Sequence, residues 1–287
     1  MCDERFRRGR PAISDPRVTL YRPDLVASDL DGTLLPPSLE FLPQTVAGVA
    51  RLRAAGLPFV VCTGRMFKSA RRMLARLGIT SGPIVCYQGA LVADLGSGVW
   101  SRHLPIPSHL AADVVRVARE LERHINVYVD DELYVEHDDS WGRRYAEYAE
   151  VGMNVVADLL AVVTAPPTKI VIETDPDDVT RLLPDLQARW EGRLYVTRSL
   201  SHFIEISDPQ ATKSAALAYL CDKLGATRER TVACGDGMND VDMLHWAGLG
   251  VAVAEASDEV RAAAGLVVPR DRLGELFETL VEAPVRT

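Results

Sequence analysis

No apolar run among the 287 residues reaches the roughly 18 that a membrane-crossing helix needs, so no span is expected. Positive charge is not in excess either: 40 Asp and Glu against 32 Lys and Arg leave a net charge of −8 at pH 7. Such a field repels polyanions, which argues against nucleic acid and anionic membranes as partners. Cysteines are few, and the five (Cys2, Cys62, Cys86, Cys221, Cys234) are odd in number and widely spaced. No two stand at zinc-ligand spacing, and reduced, buried thiols of a cytoplasmic protein are the expectation. The six histidines form no ligand pair, and no internal repeat or low-complexity tract is present. The Arg-rich start (Arg5, Arg7, Arg8, Arg10) lacks the apolar segment of a secretory signal. Residues 1–18 are expected to be a flexible, solvated arm, with an arm for an anionic partner as the other reading.

What is present is an alternation of short apolar runs with helical patterns. Asp24–Ser28 reads as a short buried strand, Phe59–Cys62 is a continuous apolar run, as in strands covered on both faces, and Ile84–Tyr87 is a third strand. Between them lie a helix opened by Pro43 and stopped by Gly56, and another over about Met66–Leu77 closed by Gly78. This βαβαβ order predicts an α/β class: a doubly wound, parallel-sheet core. From Pro105 the pattern changes to hairpins and an α+β order, as in Asn126–Val129 and Leu133–Val135 about an Asp-Asp-Glu turn. From Phe203 the first rhythm returns. The expected organisation is a core over residues 19–104 and 203–287, with a second, α+β domain inserted over 105–202.

Several polar groups stand at the ends of predicted core strands, where open α/β sheets bind ligands. Asp29 and Asp31 follow the first strand, Thr63-Gly64-Arg65 the second, and Asp236-Gly237-Met238-Asn239-Asp240 the strand at Thr231–Cys234; Lys213 opens the helix before that last strand. Two carboxylates about 4 Å apart repel by roughly 4 kcal/mol at an effective dielectric near 20. Beside a phosphate dianion they require countercharge. A hard divalent cation, with Mg²⁺ the usual choice near phosphoryl oxygens, supplies it, and Lys213 adds one more positive charge. Asp29 and Asp31 are two apart in extended chain, so both can face one opening while Leu30 points away. One carboxylate can then attack phosphorus while the other handles the leaving-group proton. Gly32 permits a tight turn, and the Thr33 hydroxyl can tie that turn down.

Asp29-Leu30-Asp31-Gly32-Thr33-Leu34, Thr63-Gly64-Arg65, Lys213 and Gly235-Asp236-Gly237-Met238-Asn239-Asp240 resemble, in order, the four motifs of the haloacid dehalogenase superfamily. The long insertion between Thr63 and Lys213 resembles the α/β cap of its Cof-type phosphatase branch. The resemblance implies a Rossmann-like core, with Asp29 as nucleophile and Mg²⁺ ligand, and Asp31 as general acid, then base, binding Mg²⁺ through its main-chain carbonyl. It implies that Thr63 and Lys213 bind phosphoryl oxygens and that Asp236 holds the metal. Asn239 and Asp240 would support the metal or Lys213, and Asp240 is counted with the metal site. Gly32, Gly64 and Arg65 are the adjoining phosphate-side residues. The implied substrate is a small phosphorylated metabolite such as a sugar phosphate. The branch pattern is departed from at Gln88, Val253, Glu255 and the segment Ser207–Thr212 before the lysine.

In the inserted domain Tyr128, His137, Arg143, Arg144 and Lys169 are candidates to face substrate. Lys169 leads because it starts a strand. Two other functions share these residues at this point. A phosphomutase or phosphotransferase would pass the aspartyl-phosphate to a second hydroxyl, and a non-catalytic binder would keep the site without turnover.

Overall fold

A computed structural model describes residues 19–198 and 201–285; the predicted arm over 1–18 lies outside them. Among the described residues fourteen strands follow in chain order. Those before the insertion are β1 (Leu25–Ser28), β2 (Phe59–Cys62), β3 (Pro83–Cys86), β4 (Leu91–Asp94) and β5 (Trp100–His103). Within it come β6 (His124–Val129), β7 (Glu132–Val135), β8 (Met153–Val155), β9 (Lys169–Glu173), β10 (Tyr195–Arg198) and β11 (Phe203–Ser207). The last three are β12 (Thr231–Gly235), β13 (Leu249–Val253) and β14 (Leu266–Val268). The described residues fall into two compact units, one running to Phe59 and resuming at Cys221, the other Val60–Leu220.

In the first unit four parallel strands lie in the order β14-β13-β12-β1. Their residues are apolar and mostly buried, as a strand sandwiched between helical layers must be. Helices Pro43–Ala54 and Leu273–Glu282 meet at Gly48 and Gly274. A Cβ on Gly274 would sit 1.9 Å from the Gln44 carbonyl oxygen, which belongs to backbone and cannot rotate away. Gly274→Ala is therefore expected to cost about 3 kcal/mol by forcing the helices apart, read as a lower urea midpoint with unchanged slope.

In the second unit β2 pairs parallel with β3, and β3-β4-β5 run antiparallel. A separate six-stranded sheet has the order β10-β11-β9-β6-β7-β8. The chain thus has a doubly wound α/β core with an inserted α+β cap. The strand β11 pairs antiparallel with both β10 and β9, so the cap sheet includes Phe203–Ser207, just beyond the predicted end at residue 202. Helices at Ser140–Ala149 and Leu159–Val162, and the strand β8, lie in a stretch to which the sequence pattern assigned no element.

Alternation along the cap strands sorts its two faces. Ile125, Val127, Ile170, Ile172, Ile204 and Ile206 join Val114, Leu186 and Trp190 in one apolar core. The intervening residues Asn126, Tyr128, Lys169, Glu173 and Glu205 make a buried second face that is largely polar. On it Asn126 links His124 to Glu173, whose carboxylate accepts from the Asn126 amide at 2.9 Å. Burial pushes the Glu173 carboxyl from 4.5 up to about 7. The folded state then holds this proton more tightly than the unfolded chain. The resulting stability is complete below pH 4.5 and is lost as pH rises to about 7. Glu173→Gln is expected to match the parent at pH 4.5 and to exceed it at pH 8 by on the order of 3 kcal/mol, measured by urea denaturation at both pH values.

Candidate active site

Strand register builds the acidic centre. Ser28 of β1 lies opposite Cys234 of β12, and the Asp29 amide donates to the Cys234 carbonyl at 2.8 Å. Asp29 and Asp236 therefore leave two neighbouring parallel strands at the same end. Asp29, Asp236 and Asp240 each offer a carboxylate oxygen, all within 4.8 Å of one another. Asp29 and Asp240 are buried, at 5% and 1% exposure. Three like charges packed so closely are unfavourable without a cation. An oxygen-only donor set with this charge fits a hard divalent ion and not a soft one.

The supporting contacts separate the three acids. Asp240 Oδ2 accepts from the amides of Asp236 (3.0 Å) and Gly237 (2.9 Å), so it braces the loop. Asp236 Oδ1 accepts from the Thr33 hydroxyl at 2.7 Å. Thr33 was expected to fasten its own turn; it reaches across to orient Asp236. The turn itself is closed by main chain, Gly32 N–H to Leu35 carbonyl and Leu35 N–H to Leu30 carbonyl, both 2.8 Å. Gly32 has φ +89°, and a Cβ there would fall 2.1 Å from Asp236 Oδ2. Arg270 Nε donates to the Gly32 carbonyl at 2.6 Å. No local pattern marked Arg270, which meets this turn across 238 positions of chain. The Asp31 carboxylate is not one of the three clustered acids. The Asn239 side chain is exposed and lies over Gly237.

The second unit gathers the other motif residues. The Thr63 amide donates to Val85 of β3, and the Gln88 amide returns to the Thr63 carbonyl. Thr63 Oγ1 accepts from the Arg65 amide at 3.1 Å, which leaves the hydroxyl hydrogen for an acceptor of its own. Arg65 is buried and its guanidinium donates to the Ser69 hydroxyl at 3.2 Å. Gln88, at the position that departs from the branch pattern, has φ +57° and places its amide against Gly64. Gly89 (φ +108°) lies against the Thr212 backbone, where a Cβ would come within 2.1 Å of the carbonyl oxygen. Thr212 caps the next helix by accepting from the Ala215 amide at 3.1 Å. That fixes Lys213, 1% exposed, as the first residue of helix Lys213–Leu224.

Lys169 reaches this group from the cap sheet, its Nζ donating to the Gly64 carbonyl at 3.2 Å. Of the other cap candidates, the fully buried Tyr128 packs beside Lys169, its ring centroid 5.2 Å from the Nζ, and three stand elsewhere. Arg143 pairs with Asp138, Arg144 stacks on Trp141, and His137 lines a surface cleft with Trp141 and Glu173.

An α/β core with a carboxylate cluster at its strand ends suits a phosphatase with a metal site, and the comparisons support a phosphatase enzyme. The family model described as haloacid dehalogenase-like hydrolase matches residues 26–272. The chain belongs to this family, in its Cof-type branch. It is 27% identical over 265 residues to the pyridoxal phosphate phosphatase YbhA of Escherichia coli, covering 85% of this chain and 92% of that one. It is 29% identical over 259 residues to the 5-amino-6-(5-phospho-D-ribitylamino)uracil phosphatase YitU of Bacillus subtilis, covering 84% and 90%. The crystal structure of TM0651 from Thermotoga maritima superposes with a TM-score of 0.81 at 28% identity, covering 93% of this chain and 98% of that one.

Proposed function

We propose that the protein is a Mg²⁺-dependent phosphatase that hydrolyses a small phosphomonoester, a sugar phosphate or related metabolite, through an aspartyl-phosphate. The observation that carries this reading is the Asp29, Asp236 and Asp240 cluster, with ligand atoms within 4.8 Å of one another. Asp29, Asp236 and the Asp31 carbonyl would hold the metal, with Asp240 bracing Asp236. The ion would neutralise charge on the transferring phosphoryl group.

In the proposed first step an Asp29 oxygen forms a bond to phosphorus as the ester P–O bond breaks, and Asp31 gives its proton to the leaving oxygen. In the second, Asp31 takes a proton from water, and the hydroxide oxygen attacks phosphorus. The acyl-phosphate bond breaks, returning the Asp29 carboxylate and free phosphate. Thr63 donates its hydroxyl hydrogen, and Lys213 its charge, to phosphoryl oxygens. The described cysteines are buried and form no disulfide, which supports a reducing, cytoplasmic setting. No helix among the described residues is long and apolar enough to cross a membrane.

A panel of phosphorylated sugars, polyols, nucleotides and cofactors tests the reading, with the substrates named for the two relatives included. The expected result is one free phosphate released per substrate consumed, abolished by chelation and restored by Mg²⁺. A phosphorylated second product in place of free phosphate would identify a phosphotransferase instead. Absence of turnover with every substrate would leave a non-catalytic binder.

A further inference from the structure

Two buried side chains of the cap sheet grip residues that follow β2, and the reaction above assigns neither a chemical step. The β6–β7 turn holds Asp130 and Asp131 at φ +50° and +59°. Asp131 Oδ1 accepts from the Phe67 amide (2.8 Å) and the Tyr87 hydroxyl (2.7 Å), and Oδ2 from the Lys68 amide (2.8 Å). Those are the first two amides of helix Phe67–Arg76, whose N-cap residue Met66 has no side-chain oxygen to cap them. A carboxylate from the distant hairpin performs the capping instead. Beside it Lys68 pairs with Glu132 of the same hairpin.

The second grip is Lys169, 3% exposed. Its ammonium donates to the Gly64 carbonyl (3.2 Å) and to the Glu205 carboxylate (3.3 Å). It also stands 5.2 Å from the Tyr128 ring centroid and 5.8 Å from that of Tyr87. Tyr87 is common to both grips, with its hydroxyl on Asp131 and its ring beside Lys169. A buried cation held by a carboxylate, a carbonyl and two aromatic rings is well compensated, and its position explains its burial without a substrate. It grips the Gly64–Arg65 peptide, whose N–H donates to Thr63 Oγ1. The helix that Asp131 caps begins four residues after Thr63.

We propose that Lys169 and Asp131 are positioning residues. From the cap they hold the Thr63-Gly64-Arg65 turn so that the Thr63 hydroxyl points its hydrogen at a phosphoryl oxygen. The kinetic part of this proposal rests on the phosphatase reading; the structural part does not.

Removing Lys169 alone would strand the buried Glu205 charge, so the primary probe is the double variant Lys169→Met/Glu205→Gln, which deletes both charges. Asp131→Asn is the second. Amide hydrogen exchange is followed in the full-length protein, together with steady-state hydrolysis of an aryl phosphate in Mg²⁺. Exchange at the Arg65–Lys68 amides is expected to rise at least tenfold in both variants, while β6 and β9 keep their protection. At the same time kcat should fall about tenfold with KM within twofold. Unchanged exchange at Arg65–Lys68 overturns the proposal. A tenfold rise in KM with kcat intact also overturns it, because Lys169 would then act on substrate directly. If the parent protein hydrolyses nothing, the phosphatase reading fails, and the exchange data still decide whether the two grips hold the turn.

Discussion

Asp29→Asn is expected to lower Mg²⁺-dependent hydrolysis of an aryl phosphate by on the order of 10⁴-fold or more, because it removes the proposed nucleophile. The amide nitrogen carries no lone pair suited to attack phosphorus. The substitution also removes one negative charge from a cluster whose acids lie within 4.8 Å of one another. Weaker metal binding alone would be recovered by raising Mg²⁺; loss of the nucleophile would not. Asp31→Asn separates the two steps with an aryl phosphate, whose aryloxide leaves without the proton that Asp31 would give. It retains Asp29 but cannot activate water, so acid-quenched enzyme should carry phosphate from a labelled substrate, whereas Asp29→Asn should carry none. Undiminished turnover in Asp29→Asn would sink the aspartyl-phosphate mechanism.

The strands that position this chemistry were legible because their signal is local. Leu25–Ala27 and Phe59–Cys62 are unbroken apolar runs, as a parallel strand buried on both faces calls for. The order of the motif residues along the chain completed the reading. Two kinds of feature escaped. One was the extent of the cap sheet: Phe203-Ile204-Glu205-Ile206-Ser207 alternates with period two, the mark of a strand with two unlike faces, and its pairing with β9 follows that mark. The other was contact between residues far apart in sequence. Nothing near Thr33 or Arg270 indicates that one orients Asp236 and the other holds the Gly32 carbonyl. The inward role of Asp131 went unmarked for a related reason. An acidic hairpin tip ordinarily faces solvent, and only the fold supplies the two bare helix amides that draw it inward.

These long-range contacts make the site depend on small volumes as much as on charges. Gly32→Ala is expected to cut activity by about 10³-fold while costing only about 1–3 kcal/mol of stability. Part of that cost is the backbone angle, since φ +89° is a conformation that L side chains rarely adopt. The added methyl would stand 2.1 Å from Asp236 Oδ2, and a carboxylate at the end of a side chain can swing away without disturbing the strands. That movement is cheap for folding and ruinous for the site. It breaks the 2.7 Å bond from Thr33 and takes Asp236 out of reach of Asp29 and Asp240. Mg²⁺ titration by calorimetry, with urea denaturation of the same sample, checks both halves. Metal binding should weaken at least tenfold in a protein that still unfolds in one cooperative transition. Retained metal affinity in a folded Gly32→Ala protein would show that Asp236 is not the ligand that this turn exists to place.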